Sequence, residues 1–300
     1  MSDRDIGASV RQRLLNRARG EGRPFQELLQ YFAMERFLYR LAKSPFADRF
    51  ILKGALLLTA WRAPVARPTM DIDLAGKTNN ELEHIRSLAG EVCGFASEPD
   101  GIEFDGASIE VQRIKEDAEY EGVRVRFNAT LAKARIPMQI DIGFGDVIVP
   151  RPIEIEYPAM LEFPPPVLMA YPKETVVAEK LEALTMLGLL NSRIKDYYDI
   201  ALLARLYPFD GDLLAEAIRS TFRHRGTTID GAPVGLTEAF SSDPARAVQW
   251  RAFVRRSRFE SESGLDEIVA QVRRFASAPL TATAREDAFH LKWRPGGPWE

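Results

Sequence analysis

Asp71 and Asp73, one residue apart in Met70-Asp71-Ile72-Asp73-Leu74, are the side chains of this sequence best placed for chemistry. Their apolar neighbours spell a strand. Alternation along a strand sends both aspartates to one face while Met70, Ile72 and Leu74 take the other. Two carboxylates roughly 7 Å apart along a strand repel unless a cation lies between them. A divalent ion serves well, because Mg2+ prefers carboxylate oxygens and leaves positions open for water and phosphate. Asp141, in Gln139-Ile140-Asp141-Ile142, has the same setting, a carboxylate on the polar face of an apolar strand. Should the two strands lie side by side, three carboxylates converge. Such a set can hold two metal ions about 3.5–4 Å apart for displacement at phosphorus. The plain alternative is a solvated Asp-X-Asp at a strand edge.

Upstream, Lys53-Gly54-Ala55 stands where a short apolar strand, Phe50-Ile51-Leu52, gives way to an apolar helix from Ala55 to Trp61. Glycine lets a backbone approach a ligand closely, and the N–H groups of the following turn can hold a phosphate. Lys53 taken alone reads equally as a polar residue at a strand end.

The elements that must position these residues follow from periodicity. Apolar residues at three- and four-residue steps between about 8 and 43 predict two helices broken near Pro24. Pro64 and Pro68 mark a loop before the Asp71–Asp73 strand, and Asn79 is expected to cap a helix from about 80 to 93. Strands are expected at Ile102–Phe104, Ile109–Ile114, Val123–Ala129 and Pro137–Phe144, and the proline-punctuated stretch 157–172 reads as an extended connector. From Lys173 to about 276 the pattern is helical. The expected layout is N-terminal helices over 1–45, a mixed α/β core over 46–160, an all-helical part over 170–278 and a tail over 279–300.

Composition narrows the classes. The 300 residues are 46% hydrophobic and 28% charged with a formal charge of −3, so nucleic acid or an anionic membrane would have to be met by local patches. A single cysteine, Cys93, excludes an intramolecular disulfide and a cysteine-based zinc cluster, and fits a reducing compartment. The three histidines are not spaced as a metal pair, so any metal is expected on carboxylates. With no apolar run of spanning length and no signal-like N-terminus, the chain is expected to be cytoplasmic, without a membrane partner.

Four blocks in order, Lys53-Gly54-Ala55, Arg67-Pro68-Thr69-Met70-Asp71-Ile72-Asp73-Leu74, Gln139-Ile140-Asp141 and Tyr171 to Arg205, resemble the nucleotidyltransferase toxins of AbiEii/AbiGii type. These belong to the polymerase-β-like nucleotidyltransferase superfamily and include the MenT toxins. The resemblance spans roughly residues 45 to 225. It implies an α/β (α+β) nucleotidyltransferase core with a mixed sheet, followed by helices. It implies Asp71, Asp73 and Asp141 as ligands of Mg2+ or Mn2+, with Asp141 also helping to deprotonate the attacking group. Lys53, Gly54 and Ala55 match the phosphate-binding turn. Ala55 stands where the superfamily generally has a second glycine or a serine, so no hydroxyl contact to the γ-phosphate is expected there. Lys180 matches the helical lysine near the triphosphate, and Asp196 and Asp199, in Arg193-Ile194-Lys195-Asp196-Tyr197-Tyr198-Asp199, match the last motif, with the role assigned first to Asp196. Read without the family, Lys180 between Glu179 and Glu182 is a solvated residue, and Lys195 with Asp199 is an i,i+4 ion pair.

The activity implied is transfer of NMP from an NTP to an acceptor hydroxyl with release of pyrophosphate. The setting implied is a toxin–antitoxin or phage-defence system, with the tRNA 3′ end as acceptor, a cognate antitoxin as partner and no DNA. Three arginine clusters could meet RNA: Arg11 to Arg23, Arg219 to Arg225 and Arg251 to Arg258; each reads equally as a solvated helix face. The alternatives are a glycosyltransferase using Asp-X-Asp to hold a metal-bound nucleotide diphosphate, and a non-catalytic nucleotide-binding module.

Overall fold

The computed structural model describes residues 3–63, 67–117, 120–257 and 263–300; Pro64 of the expected loop and Arg258 of the third arginine cluster lie outside them. The chain forms two compact units, Met1–Gly145 with Ile153–Ala170, and Asp146–Pro152 with Tyr171–Glu300.

In the first unit α1 (Asp3–Glu21) and α2 (Phe25–Lys43) are separated at Pro24, which lacks the N–H that a continuous helix would need. Then come β1 (Phe50–Lys53), α3 (Leu56–Ala60), β2 (Ile72–Gly76), α4 (Leu82–Cys93), β3 (Ile102–Asp117), β4 (Tyr120–Leu131), β5 (Ala134–Phe144), β6 (Ile153–Glu156) and β7 (Val167–Ala170). The strands form one mixed sheet in the order β3-β4-β5-β2-β1-β7-β6. One face is apolar: Leu74, Val125, Ile140 and Ile142 meet Phe37 and Leu41 of α2 and Ile85, Leu88 and Val92 of α4. Alternation leaves the other face to Lys53, Asp73, Arg124, Arg126, Gln139 and Asp141.

Two expectations are corrected. The proline-rich connector contains β7, which pairs parallel to β1 at Leu52↔Ala170 and antiparallel to β6. Its four residues, with Leu168 and Ala170 buried, are too few to stand out beside Pro164, Pro165 and Pro166. Asn79 does not cap α4 itself: its side chain accepts from the amide of Glu81 at 2.8 Å, and Glu81 is the residue that precedes the helix.

α2 carries buried charges as well as core. Arg36 and Arg40 both bind Asp100, at 2.9 and 2.8 Å, and Arg36 also donates to the Pro164 carbonyl. Glu35 accepts from the Met160 amide at 2.7 Å. Burial pushes the Glu35 carboxyl up to about 7, although the Met160 amide and Arg36 pull it down. The folded protein therefore holds this proton through a window, from about 4.5 to about 7, in which the unfolded chain has released it. Stability falls as pH rises through that window, by roughly 3 kcal/mol at most. Glu35→Gln is expected to match the parent near pH 4.5 and to melt higher at pH 8. Thermal denaturation across pH checks this, and identical slopes for the two proteins would contradict it.

The second unit contains α5 (Lys173–Leu187), α6 (Ile194–Leu206), β8 (Phe209–Asp210), α7 (Gly211–His224), α8 (Glu238–Ser241), α9 (Pro244–Ser257), α10 (Leu265–Ala284) and β9 (Lys292–Trp293). Its C-terminal end is fastened by aromatic side chains. Trp293 and Trp299 donate to the carbonyls of Ala204 and Phe275 at 2.6 and 2.8 Å, and β9 pairs with β8. Among the described residues no helix is long and apolar enough to cross a membrane.

Candidate functional site

Strand register assembles the site. β2 pairs parallel with β5, setting Asp73 beside Asp141, and antiparallel with β1, setting Asp73 opposite Lys53. On the far side of β5, β4 sets Arg124 opposite Asp141. One row across four strands thus reads Lys53, Asp73, Asp141, Arg124: cation, anion, anion, cation. Asp71, just ahead of β2, adds a third carboxylate, and oxygens of Asp71, Asp73 and Asp141 lie within 4.8 Å of one another.

Local contacts hold this arrangement. Gln30, buried in α2, donates to the carbonyls of Met70 and Pro137 at 3.1 and 3.0 Å and so ties the segment ahead of β2 to β5 itself. The Tyr31 hydroxyl accepts from the Thr69 amide at 3.1 Å, and the Thr69 hydroxyl donates to Asp71. Gly54 has φ of +74°, and a Cβ there would lie 2.0 Å from the Asp73 Oδ2 atom. The glycine at this turn therefore makes room for the Asp73 carboxylate, whatever it also does for a phosphate.

Arg124 grips Asp141 through two bonds, Nε to Oδ1 at 2.7 Å and Nη2 to Oδ2 at 2.6 Å. The Asp141 carboxylate is the chief reason the Arg124 guanidinium is held above its ordinary range, with Asp71 and Asp73 adding to it. Sequence reading passed over this residue. Its signal was the alternation Val123-Arg124-Val125-Arg126-Phe127, which puts both arginines on the polar face.

Like charges about 5 Å apart repel by roughly 3 kcal/mol per pair at an effective dielectric near 20. Lys53 and Arg124 flank the row, leaving three carboxylates against two cations. Three converging carboxylates are an oxygen-only donor set, the kind that suits Mg2+ or Mn2+ and not a thiol- or imidazole-seeking metal. Each carboxylate oxygen has more than one acceptor direction, so the Arg124 contact leaves Asp141 able to ligate. The residues present fit a hard divalent ion. Among the described residues this is the one such convergence.

Lys180, Asp196 and Asp199 come together in the second unit. The Lys180 ammonium lies 2.5 Å from Asp196 and 2.9 Å from Asp199, and Arg193 binds Asp196 at 2.6 Å. Burial alone would raise the Asp196 carboxyl, but Lys180 and Arg193 outweigh it and hold it well below the carboxylate range. Both aspartates are buried and both engage Lys180, so the lysine is not the solvated residue of the family-free reading. Asp199 is likewise buried, not on a solvated surface, and it faces Lys180.

The arginine clusters divide. Arg17 pairs with Glu21 along α1, and Arg23, between the two helices, pairs with Glu27 of α2. Arg225 sits in a buried network with Glu182 at 2.8 Å, Glu179 at 3.6 Å and Asp146 at 3.9 Å. That contact makes it a fastening of the second unit. A hollow of about 970 Å3 there sets Arg251, Arg255 and Arg273 against Glu238, Asp266 and Glu267, and contains neither the Asp71–Asp73–Asp141 group nor the Asp196–Asp199 pair. Volume without convergent charge gives no reason to place the chemistry in it.

The family model described as nucleotidyl transferase AbiEii toxin, Type IV TA system, matches residues 36–275, well over half of the chain. No curated protein matches it. Among solved structures, a candidate nucleotidyltransferase from H. pylori aligns at 16% identity with a TM-score of 0.46, covering 87% of this chain and 96% of its own. JHP933 from Helicobacter pylori aligns at 18% identity with a TM-score of 0.48, covering 87% and 93%.

Proposed function

This chain belongs to the AbiEii nucleotidyltransferase toxin family, and on that premise we propose that it moves NMP from an NTP to an acceptor hydroxyl with loss of pyrophosphate, using Mg2+ or Mn2+ at Asp71, Asp73 and Asp141. That it is a nucleotidyltransferase follows from the family; the finer reading is carried by the convergence of three carboxylates within 4.8 Å. A divalent ion held there would neutralise the carboxylates and stabilise the charge on the transferring phosphoryl group.

The chain's own residues do the remainder. Thr69, Gln30 and Gly54 keep the carboxylates on one face, and Arg124 orients Asp141, which we assign to help take the acceptor proton. The backbone of Lys53-Gly54-Ala55 is assigned to the phosphates. Lys180, oriented by Asp196 and Asp199, is assigned as the cation for the triphosphate. The acceptor oxygen bonds to the α-phosphorus as the bond to the bridging oxygen breaks, and pyrophosphate leaves with the electron pair. We assign the tRNA 3′ end as acceptor, a toxin role with a cognate antitoxin, and a cytoplasmic setting; the family's description supports the toxin role and the antitoxin.

The test is incubation with each α-labelled NTP, total tRNA and cell extract. The expected result is a labelled RNA band with pyrophosphate released, abolished by EDTA and restored by Mg2+ or Mn2+. No labelled product from any NTP would overturn the reading.

A further inference from the structure

Beside the carboxylates, still within the first unit, lies a cleft of about 400 Å3 whose lining includes Met70, Asp71, Ser108, Glu110, Arg126 and Asn128. Asp71 belongs both to this lining and to the carboxylate group. Gln139, also in the lining, joins the two by hydrogen bonds: Arg126 Nε donates to its Oε1 at 3.1 Å, and its Nε2 donates to Asp141 at 3.4 Å. Arg124 Nη2 donates to the same Asp141 oxygen, Oδ2. The cleft and the reacting centre thus share one polar chain.

Its place in the sheet matters. The Gly54 turn follows β1, on one side of the β2–β5 pair, while the cleft lies over β5, β4 and β3 on the other. In-line displacement needs the attacking and leaving oxygens on opposite sides of phosphorus. If the leaving phosphates face Gly54, the attacking hydroxyl enters from the cleft. We propose that this cleft is the acceptor subsite and that it seats the 3′-terminal nucleoside of a single-stranded RNA, an inference that rests on the nucleotidyl-transfer reading above.

The lining favours a nucleoside over a protein hydroxyl. Arginine and asparagine are side chains that read base edges. Arg135 donates to Asn128 Oδ1 at 2.9 Å, which leaves the Asn128 amide N–H groups to face a base acceptor. Met70, 51% exposed, offers an apolar surface against which a base can pack. Glu110 in the lining is an acceptor suited to a 2′-hydroxyl, the group that distinguishes RNA from DNA. A volume of this order holds one nucleotide and not a folded loop.

Arg126→Ala and Asn128→Ala in the full chain test it. Binding of a short fluorescein-labelled single-stranded RNA is followed by anisotropy in EDTA, and KM for RNA and for NTP by transfer assay. Each variant is expected to weaken RNA binding and raise its KM about tenfold or more, leaving the NTP KM within about twofold, which also reports an intact fold. Unchanged RNA affinity in both variants overturns the subsite while the transfer reading stands. Labelling of a protein instead of RNA, lost in Arg126→Ala, overturns the RNA assignment in favour of a protein hydroxyl. A parent protein that binds RNA through Arg126 but releases no pyrophosphate from any NTP overturns the transfer reading, and with it the subsite.

Discussion

Asp73→Ala is expected to lower nucleotide transfer about a thousandfold or more. The oxygens of Asp71, Asp73 and Asp141 lie within 4.8 Å, and Asp73 is the member flanked on both sides, by Lys53 on β1 and Asp141 on β5. Removing it leaves Asp71 and Asp141 to hold the divalent ion between them. A metal that stabilises the transferring phosphoryl group contributes several kcal/mol, and each 1.36 kcal/mol is tenfold in rate. Asp73→Asn separates charge from shape. It keeps the side-chain volume next to Gly54 and Lys53 but removes the anion. Its activity is expected to fall as far, with a melting temperature within a few degrees of the parent. Single-turnover incorporation of α-labelled NTP, with titration of Mn2+, gives both numbers. Full activity in either variant would remove Asp73 from the centre and with it the proposed metal site.

That the aspartates share a face was legible in the sequence, because alternation along a strand requires it and the Ile and Leu neighbours fix which face is polar. The α/β class was legible from the same periodicity, while the mixed sheet was implied by the family resemblance alone. What periodicity does not encode is which strands become neighbours. The pairing of Asp73 with Asp141 is braced by Gln30, forty residues upstream of Met70, whose amide reaches the carbonyls of Met70 and Pro137. A glutamine in the middle of an apolar helix carries no mark of that task. Arg124 was missed because its partner, Asp141, is named only by register. β7 was missed because it is short and borders three prolines. The C-terminal end was hard to read because it is anchored by Trp293 and Trp299, single large side chains in an aperiodic stretch, each closing one hydrogen bond.

Gly54→Ala carries the second large effect and decides between two accounts of the same glycine. In the phosphate-cradle account its value is a backbone that approaches the ligand, and the loss should appear as a raised KM for NTP. The structure adds another demand. A Cβ at this position would lie 2.0 Å from Asp73 Oδ2 and 2.7 Å from Asp73 Cβ, at a φ of +74° that alanine adopts only with strain. The first contact can be relieved by turning the carboxylate, which takes it out of the group. The second cannot, because it involves the Cβ of a residue paired on both sides in the sheet; the turn or the strand must shift. Either movement separates Asp73 from Asp71 and Asp141. Gly54→Ala is therefore expected to cut kcat by about a hundredfold to a thousandfold and to weaken Mn2+ binding, both losses larger than any loss of NTP affinity measured without metal. Combined with Asp73→Ala it should add little, since both changes remove the same carboxylate from its place. Normal kcat and Mn2+ affinity with a raised KM for NTP would return Gly54 to the phosphates alone.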